Sequence, residues 1–147
     1  MASLDLEKLQ NIVTSNSTTA TAHTTALGQK VTKLNTLSAT TGTLAVGVLT
    51  GGDDVTLVTT NATPGNQTLP SAAALLAAQG VTAPFSYNLR IINTGAGTFT
   101  MLADSGATIT LGAGTYTIPT NTFRDFVVSF PTATTGTITT VGVGTWS

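Results

Sequence analysis

The feature that most constrains this chain is an alternation of apolar with polar or small residues that begins at Gly42 and continues through the rest of the sequence. In a β-strand successive side chains point to opposite faces, so a period of two buries one face and leaves the other in water. The stretch "DVTLVTT" puts Val55 and Leu57 on one face, and residues 85–91 repeat the pattern over a longer run. The alternation therefore predicts a mainly β domain over residues 41–147.

Turn-forming residues divide this region into about eight short segments, as in chains that turn between strands. Short strands at near-even spacing are typical of an all-β sandwich, and we expect an antiparallel, jelly-roll-like β-sandwich. The predicted strands cover residues 44–48, 55–57, 85–92, 99–102, 107–111, 116–118, 123–130 and 137–141.

One short helix is predicted to interrupt the strands, in the stretch "LPSAAALLAAQG". Alanine and leucine are strong helix formers, Ser71 is a suitable N-cap and Gly80 is a suitable stop. The adjacent Leu75 and Leu76 are expected to close one open end of a sheet.

Residues 1–40 follow a different period, close to seven residues. Apolar residues recur in two rows, and polar Asn16 and His23 interrupt one row in the middle. The segment is rich in threonine, a poor helix former, so such a helix would be marginal alone and needs a packing partner. Polar residues in a coiled-coil seam fix register and copy number, and we therefore predict an N-terminal helical or coiled-coil segment that joins copies of the chain or anchors it to a partner. Packing of this helix on its own β domain, or disorder of the segment, are alternatives that the pattern leaves open.

The predicted oligomer or partner interface combines the heptad rows with Trp146, which follows the last alternating segment. A large aromatic side chain there is expected to close its own domain or to dock on a neighbour. The predicted interface residues are Leu6, Leu9, Val13, Asn16, Ala20, His23, Leu27, Leu34, Leu37 and Trp146.

A short glycine-rich sequence occurs three times, as "GAGTFT" at Gly95, "GAGTYT" at Gly112 and "GVGTWS" at Gly142. Glycine permits the positive φ of a tight turn, and the aromatic residue that follows is expected to enter the sheet as a core or seam residue. A dinucleotide-binding loop would need a third glycine and a following helix, and neither occurs here. The repeats therefore predict turn-and-strand units rather than a phosphate site.

The composition argues against nucleic-acid, membrane and catalytic functions. Only 7% of the residues are charged and the net charge is −1, so no basic stripe exists to follow a phosphate backbone. No apolar run reaches the roughly 18 residues of a membrane span. With no cysteine and a single histidine, His23, the chain offers neither a thiolate nucleophile nor a triad outside the predicted helix.

The acidic residues of the β region are expected to shape turns or to pair locally. Adjacent Asp53 and Asp54 in "GGDD" and the isolated Asp104 and Asp125 do not have the spacing of a glycosidase pair, and "GGDD" alone supplies few of the oxygen ligands that calcium needs. Lys30, Lys33, Arg90 and Arg124 could be hot spots of an interface, but we expect each to be solvated or paired across strands. We therefore predict a protein that is not an enzyme, with no catalytic residues, cofactor or metal site.

The pieces "LPSAAALLAAQG", "IINTGAGTFTM", "ADSGATITL" and "NTFRDFVVSF", within residues 66–141, resemble the β domain of small virion-surface proteins of tailed bacteriophages, of the capsid decoration or cement type. The resemblance implies a homotrimer that binds the major capsid protein on the outer surface of the virion, often over a threefold position, and stabilises the shell. We expect residues 1–40 to bind the capsid or join the protomers, and residues 41–147 to form the β-sandwich.

A second hypothesis is a short head or tail fibre, or receptor-binding tip, that recognises a host-surface glycan. Such tips stack sugars on exposed aromatic rings, and this chain offers Tyr87, Tyr116 and Trp146 for that role.

Overall fold

The computed structural model describes residues 32–38 and 41–145. The described elements belong to a compact unit that runs from Val31 to Ser147. Most of the predicted coiled-coil and interface residues lie outside the described residues, so their predicted roles stay predictions. They are Leu6, Leu9, Val13, Asn16, Ala20, His23, Leu27 and Trp146.

The described chain is mainly β, with one α-helix inserted among the strands, as predicted. A short 3-10 helix at Val46–Val48 follows the second strand. The elements are β1 (Thr32–Leu37), β2 (Gly42–Thr43), β3 (Asp54–Thr59), β4 (Gly65–Thr68), α1 (Ala72–Gln79), β5 (Phe85–Asn93), β6 (Phe99–Leu102), β7 (Ile109–Leu111), β8 (Thr117–Ile118), β9 (Thr122–Phe130) and β10 (Gly136–Thr145).

The strands form a six-stranded sheet in the order β1-β3-β5-β9-β10-β7 and a four-stranded sheet in the order β2-β4-β6-β8. From β1 to β6 the chain alternates between the two sheets. From β3 onward in this series, each strand pairs in parallel with the previous strand of its own sheet. Three coils therefore stack on one another: coil 1 is β1 and β2, coil 2 is β3 and β4, and coil 3 is β5 and β6. This is the connectivity of a solenoid, in which each unit contacts its neighbours.

The strands after β6 pair mainly in antiparallel fashion. β9 pairs antiparallel with β5, β10 pairs antiparallel with β9, and β8 pairs antiparallel with β6, whereas β7 lies parallel to β10. The prediction of a purely antiparallel sandwich is therefore wrong in its strand pairing, because both sheets are mixed. Alternation of side chains is the same in parallel and antiparallel strands, so it carries no information on the direction of the neighbour.

A buried side chain fixes the corner between coil 2 and coil 3. Asn93 is fully buried, and its Nδ2 donates to the backbone oxygens of Gly97 at 2.8 Å and Ile118 at 2.9 Å. Its Oδ1 accepts from the backbone N–H of Gly95 and from the Thr59 hydroxyl, both at 3.0 Å. The amide therefore has a partner for each of its donors and for its acceptor, as a buried polar group requires.

The first glycine-rich repeat is explained by close packing of backbone at this corner. A Cβ on Gly95 would collide with the backbone of Asn61, and a Cβ on Gly97 would collide with the backbone of Thr63. Positive φ, the predicted reason for these glycines, is found within the repeats only at Gly114, among the described residues. Phe99, the aromatic residue of the first repeat, lies in the core as predicted.

Both sheets and α1 contribute to one core. The helix is capped as predicted, since the Ser71 Oγ accepts from the Ala74 N–H at 3.3 Å and Gly80 ends it with φ of 68°. Leu75 and Leu76 are buried, and α1 packs against the 3-10 helix. The largest fully buried side chains are Phe99, Phe126, Phe130, Leu44, Leu49, Leu57, Leu69, Leu75, Leu89, Ile91, Met101 and Ile109.

Two predicted elements have a different structure. Residues 32–37 were expected to be helical but form β1, where each residue pairs with β3 and the branched side chains of Thr32 and Thr36 suit a strand. Residues 44–48 were expected to be a strand but contain the 3-10 helix, whose Val46 carbonyl accepts a hydrogen bond from the Thr50 hydroxyl at 3.1 Å. In both places a short apolar pattern fitted two local structures, and contacts with other elements decided between them, since β1 pairs with β3 and the 3-10 helix packs against α1.

Candidate functional site

The solvent side of the six-stranded sheet, which we call the outer face, is the candidate functional surface. Alternate residues of β3 and β5, and of β9 from Phe126 onward, are buried beneath it, so the residues between them point outward. The strand registers align the outward residues into three rows that cross the sheet. The first row is Thr32, Asp54, Asn88, Val127 and Thr139, the second is Leu34, Thr56, Arg90, Asp125 and Gly142, and the third is Thr36, Val58, Ile92, Phe123 and Gly144.

A paired arginine and aspartate occupy the centre of the outer face. Arg90 Nε donates to Asp125 Oδ1 at 2.6 Å, and Arg90 Nη2 donates to Asp125 Oδ2 at 2.9 Å. The same guanidinium lies 4.7 Å from the ring centroid of Phe123. The hydrogen bond to Asp125 raises the pKa of Arg90 above its ordinary value. Cross-strand pairing of Arg90 is thus confirmed, whereas Arg124 donates to the Thr117 carbonyl at 2.8 Å.

An open groove of about 440 Å³ lies beside this pair. Its polar wall includes Asp54 and Asn88, whose side chains are joined by a hydrogen bond of 2.7 Å from Asn88 Nδ2 to Asp54 Oδ1. Val141 lines the opposite side and is 62% exposed. The groove therefore presents fixed hydrogen-bonding groups next to an exposed apolar side chain.

The third row gives the outer face a cluster of partly exposed apolar side chains. Val58, Ile92 and Phe123 are half-buried neighbours across three strands. Leu34, in the second row, is 67% exposed. Clusters of partly exposed apolar residues around a few polar groups are typical of surfaces that bind another molecule.

The structure describes Leu34 and Leu37 among the predicted interface residues, and it separates them. Leu34 lies on the outer face, whereas Leu37 points to the other side of β1 and packs against the core. A helix would have put residues three apart on one face, but a strand puts them on opposite faces. Only Leu34 therefore belongs to the candidate surface.

Of the tyrosines considered for sugar stacking, one is buried and the other is only partly exposed. Tyr87 is buried between Phe85 and Phe130, and burial raises the pKa of its hydroxyl. Tyr116 stacks on Phe126, and its hydroxyl donates to the Ile138 carbonyl at 2.6 Å. Both rings are used in packing the domain.

Asp104 shapes a turn, as predicted. Its carboxylate accepts hydrogen bonds from the Thr108 hydroxyl at 2.9 Å, the Thr108 N–H at 3.1 Å and the Ile109 N–H at 2.7 Å. Burial alone would raise the pKa of Asp104, but these hydrogen bonds, together with one from the Gly106 N–H, hold it below its ordinary value. Within residues 32–38 and 41–145, no three acidic or histidine side chains cluster as metal ligands would.

Comparisons with protein-family models, with curated proteins and with solved structures find no match to this chain. In the part of the chain that the structure describes, none of the helices has the length and apolar character needed to cross a membrane.

Sequence reasoning identified one strand of the outer face but not the surface as a whole. The alternation in β5 already put Asn88, Arg90 and Ile92 on one side. Their partners Asp54 and Asp125 come from strands 34 and 35 residues away. Ile92 could have indicated this surface in the sequence. It lies on the polar side of β5, where a solvated face usually carries polar residues.

Proposed function

We propose that this chain is a structural protein that binds other proteins through its outer face, as a capsid decoration or cement protein on the virion of a tailed bacteriophage. The observation that carries the proposal is the surface around Arg90, where an internally paired charge lies on Phe123 beside the partly exposed Ile92 and Val58. Arginine and aromatic residues are enriched at the energetic centres of interfaces, and an arginine held by its own neighbours loses little entropy on binding.

The low charge of the sequence supports the same function. The outer face carries Asp54, Arg90 and Asp125 as its only ionisable groups among the described residues, and two of them neutralise each other. Contacts made mainly by apolar and hydrogen-bonding groups depend little on salt. Such a contact suits a protein that must stay on a particle through dilution and changes of ionic strength.

The resemblance of residues 66–141 to decoration proteins supplies the remaining parts of the proposal. By that resemblance the chain forms a homotrimer, binds the major capsid protein and stabilises the shell from outside, with no enzymatic activity. Residues 1–40 then contribute trimer or capsid contacts.

The test uses purified phage particles that lack the protein, mixed with the full chain and recovered by sedimentation. We expect saturable binding with a copy number that matches the symmetry of the shell. Phe123→Ala should weaken binding by about tenfold or more, as loss of an interface centre does. The matched control is Thr134→Ala, which changes an exposed residue in the turn between β9 and β10. A chain that stays in the supernatant, or equal binding by both variants, would contradict the proposal.

A glycan-binding receptor tip is the second candidate, and the groove next to Asp54 and Asn88 favours it. Sugar hydroxyls pair well with carboxylate and amide groups fixed as these are. Binding of glycans in an array, abolished by Asn88→Ala and unaffected by Phe123→Ala, would support the glycan hypothesis over capsid binding.

A further inference from the structure

Among residues 32–38 and 41–145, no strand pairs with one edge of β10 over its last residues. β7 pairs with β10 only at Gly136, Thr137 and Ile138. The loop that follows β7 covers the next part, since the Gly112 N–H donates to the Ile138 carbonyl at 2.8 Å and the Thr140 hydroxyl donates to the Thr115 carbonyl at 3.1 Å. After the bulge at Val141, no described strand lies on this side of β10.

Beyond the bulge at Val141, this edge lacks the charged residues and prolines that usually keep strand edges apart. The ten residues of β10, "GTITTVGVGT", include no charged residue and no proline. Val143 is 64% exposed. The opposite edge of the same sheet, β1, carries Lys33, and the edge strands of the small sheet are two residues long. Exposed, uncharged strand edges are templates for pairing with another chain.

The glycines of β10 make this edge flat on the outer face. A Cβ on Gly144 would collide with the ring of Phe123, and a Cβ on Gly142 would meet the Asp125 side chain at 3.1 Å. Side chains of β9 thus lean over the glycines and cover them. No bulky group of β10 itself stands on that side between Gly142 and Gly144, so a further strand can approach closely.

We propose that Gly142–Gly144 pairs in antiparallel fashion with the same segment of a second copy, about a two-fold axis at Val143. In this register Val143 faces Val143 of the partner subunit, and Gly142 faces Gly144 of the partner subunit. Cross-strand pairs of β-branched residues stabilise antiparallel sheets. The pairing joins the two six-stranded sheets into one continuous sheet.

A second copy suits this edge because the edge is neutral. Two identical uncharged segments meet without like-charge repulsion, whereas self-pairing through β1 would bring together two copies of Lys33. The segment is also self-complementary, because the order glycine, valine, glycine reads the same in reverse and places valine opposite valine. The inference is independent of capsid binding.

The test is disulfide trapping with the full chain. The sequence has no cysteine, so Val143→Cys introduces a single thiol per chain. Residues directly opposite in an antiparallel pair have Cβ atoms about 4.5–5.5 Å apart, close enough for a disulfide after a small adjustment. Mild oxidation of V143C is expected to give a covalent dimer that a reductant reverses.

The matched control is Leu34→Cys, at a similarly exposed position on the opposite edge of the same sheet. We expect V143C to give about tenfold more covalent dimer than L34C, which corresponds to a preference of about 1.4 kcal/mol for the β10 contact. Equal yields from the two variants would overturn the inference. A trimer held by other contacts would leave position 143 unpaired and also give equal yields.

A charge substitution provides an independent readout. Val143→Lys places two like charges at the axis and should weaken self-association by about tenfold or more in sedimentation experiments, whereas Leu102→Lys, at an exposed apolar position of the small sheet, should not. Circular dichroism checks that both variants are folded. Unchanged association of V143K would also overturn the inference.

Discussion

The Thr59 hydroxyl lies 3.0 Å from the side-chain oxygen of Asn93, so a hydrogen bond between two fully buried side chains joins coil 2 to coil 3. Asn93 binds the corner backbone of its own coil and Ile118 of β8 as well. One residue thus links both sheets and two coils, and we expect its replacement to destabilise the whole domain.

Replacing this residue gives the first prediction. Asn93→Ala leaves the Thr59 hydroxyl and the Gly95 N–H without their partner, and each buried group left unpaired costs about 1–3 kcal/mol. We expect the free energy of unfolding, measured by urea denaturation, to fall by about 3 kcal/mol or more. Asn88→Ala, which removes an exposed amide bonded to Asp54, should change it by less than about 1 kcal/mol. Similar losses in both variants would contradict the role given to Asn93.

The close approach of coils gives a second prediction. Gly97→Ala places a methyl group against the backbone of Thr63, which cannot move away as a side-chain end can. Overpacking of this kind costs about 1–3 kcal/mol, and more where backbone must shift. Gly47→Ala is the control, because nothing lies within 4 Å of the added Cβ. We expect G97A to lower the urea midpoint clearly and G47A to leave it nearly unchanged, and the reverse order would show that the coils are not packed this tightly.

The turn at Asp104 predicts a dependence of stability on pH. The hydrogen bonds from Ile109 and Thr108 hold the folded-state pKa of this carboxyl below its ordinary value, which is about 3.9 in an unfolded chain. Its contribution is therefore present above about pH 5 and is lost as the pH falls through the lower folded-state pKa. Asp104→Asn should cost about 1–3 kcal/mol at pH 7 and progressively less toward pH 2. A cost that does not change between pH 7 and pH 2 would show that the charge of Asp104 is not what these groups stabilise.

The pair on the outer face gives a fourth prediction, on stability. Arg90 and Asp125 are 48% and 30% exposed, so solvent screens their attraction. A double-mutant cycle with Arg90→Ala and Asp125→Ala should give a coupling energy of about 0.5–1 kcal/mol that shrinks in high salt. A much larger coupling would mean that the pair serves mainly to hold the fold, and would weaken its proposed role in binding.

The parts of the fold that follow from local chemistry were predictable. The caps Ser71 and Gly80 define α1 within a few residues, and alternation alone identified β5, β6 and most of β9. The direction of strand pairing was not predictable, because the same alternation fits parallel and antiparallel neighbours. Leu34 and Leu37 show a related ambiguity, since a spacing of three fits a helical row as well as two faces of a strand.

The outer face could be predicted only in part, for the same reason. The sequence shows Arg90 on the polar side of β5, but its ion pair depends on β9 being the next strand, in a register that no local pattern contains. The hydrogen bonds of the buried Asn93 side chain could not be predicted either, because an asparagine after an apolar strand usually indicates a turn. Contacts between distant segments decide both sites.

The stacked coils have a consequence for how such a chain can vary in length. Each coil rests on the one before it through the same parallel pairing, so an additional turn of chain inserted between coil 1 and coil 2 would find matching backbone partners on both sides. The domain would grow taller by about 4.8 Å, the spacing of adjacent strands, while the neighbourhood of Arg90 and the β10 edge stayed as they are. This architecture therefore permits homologues that differ in this region by whole coils rather than by loop insertions of irregular length.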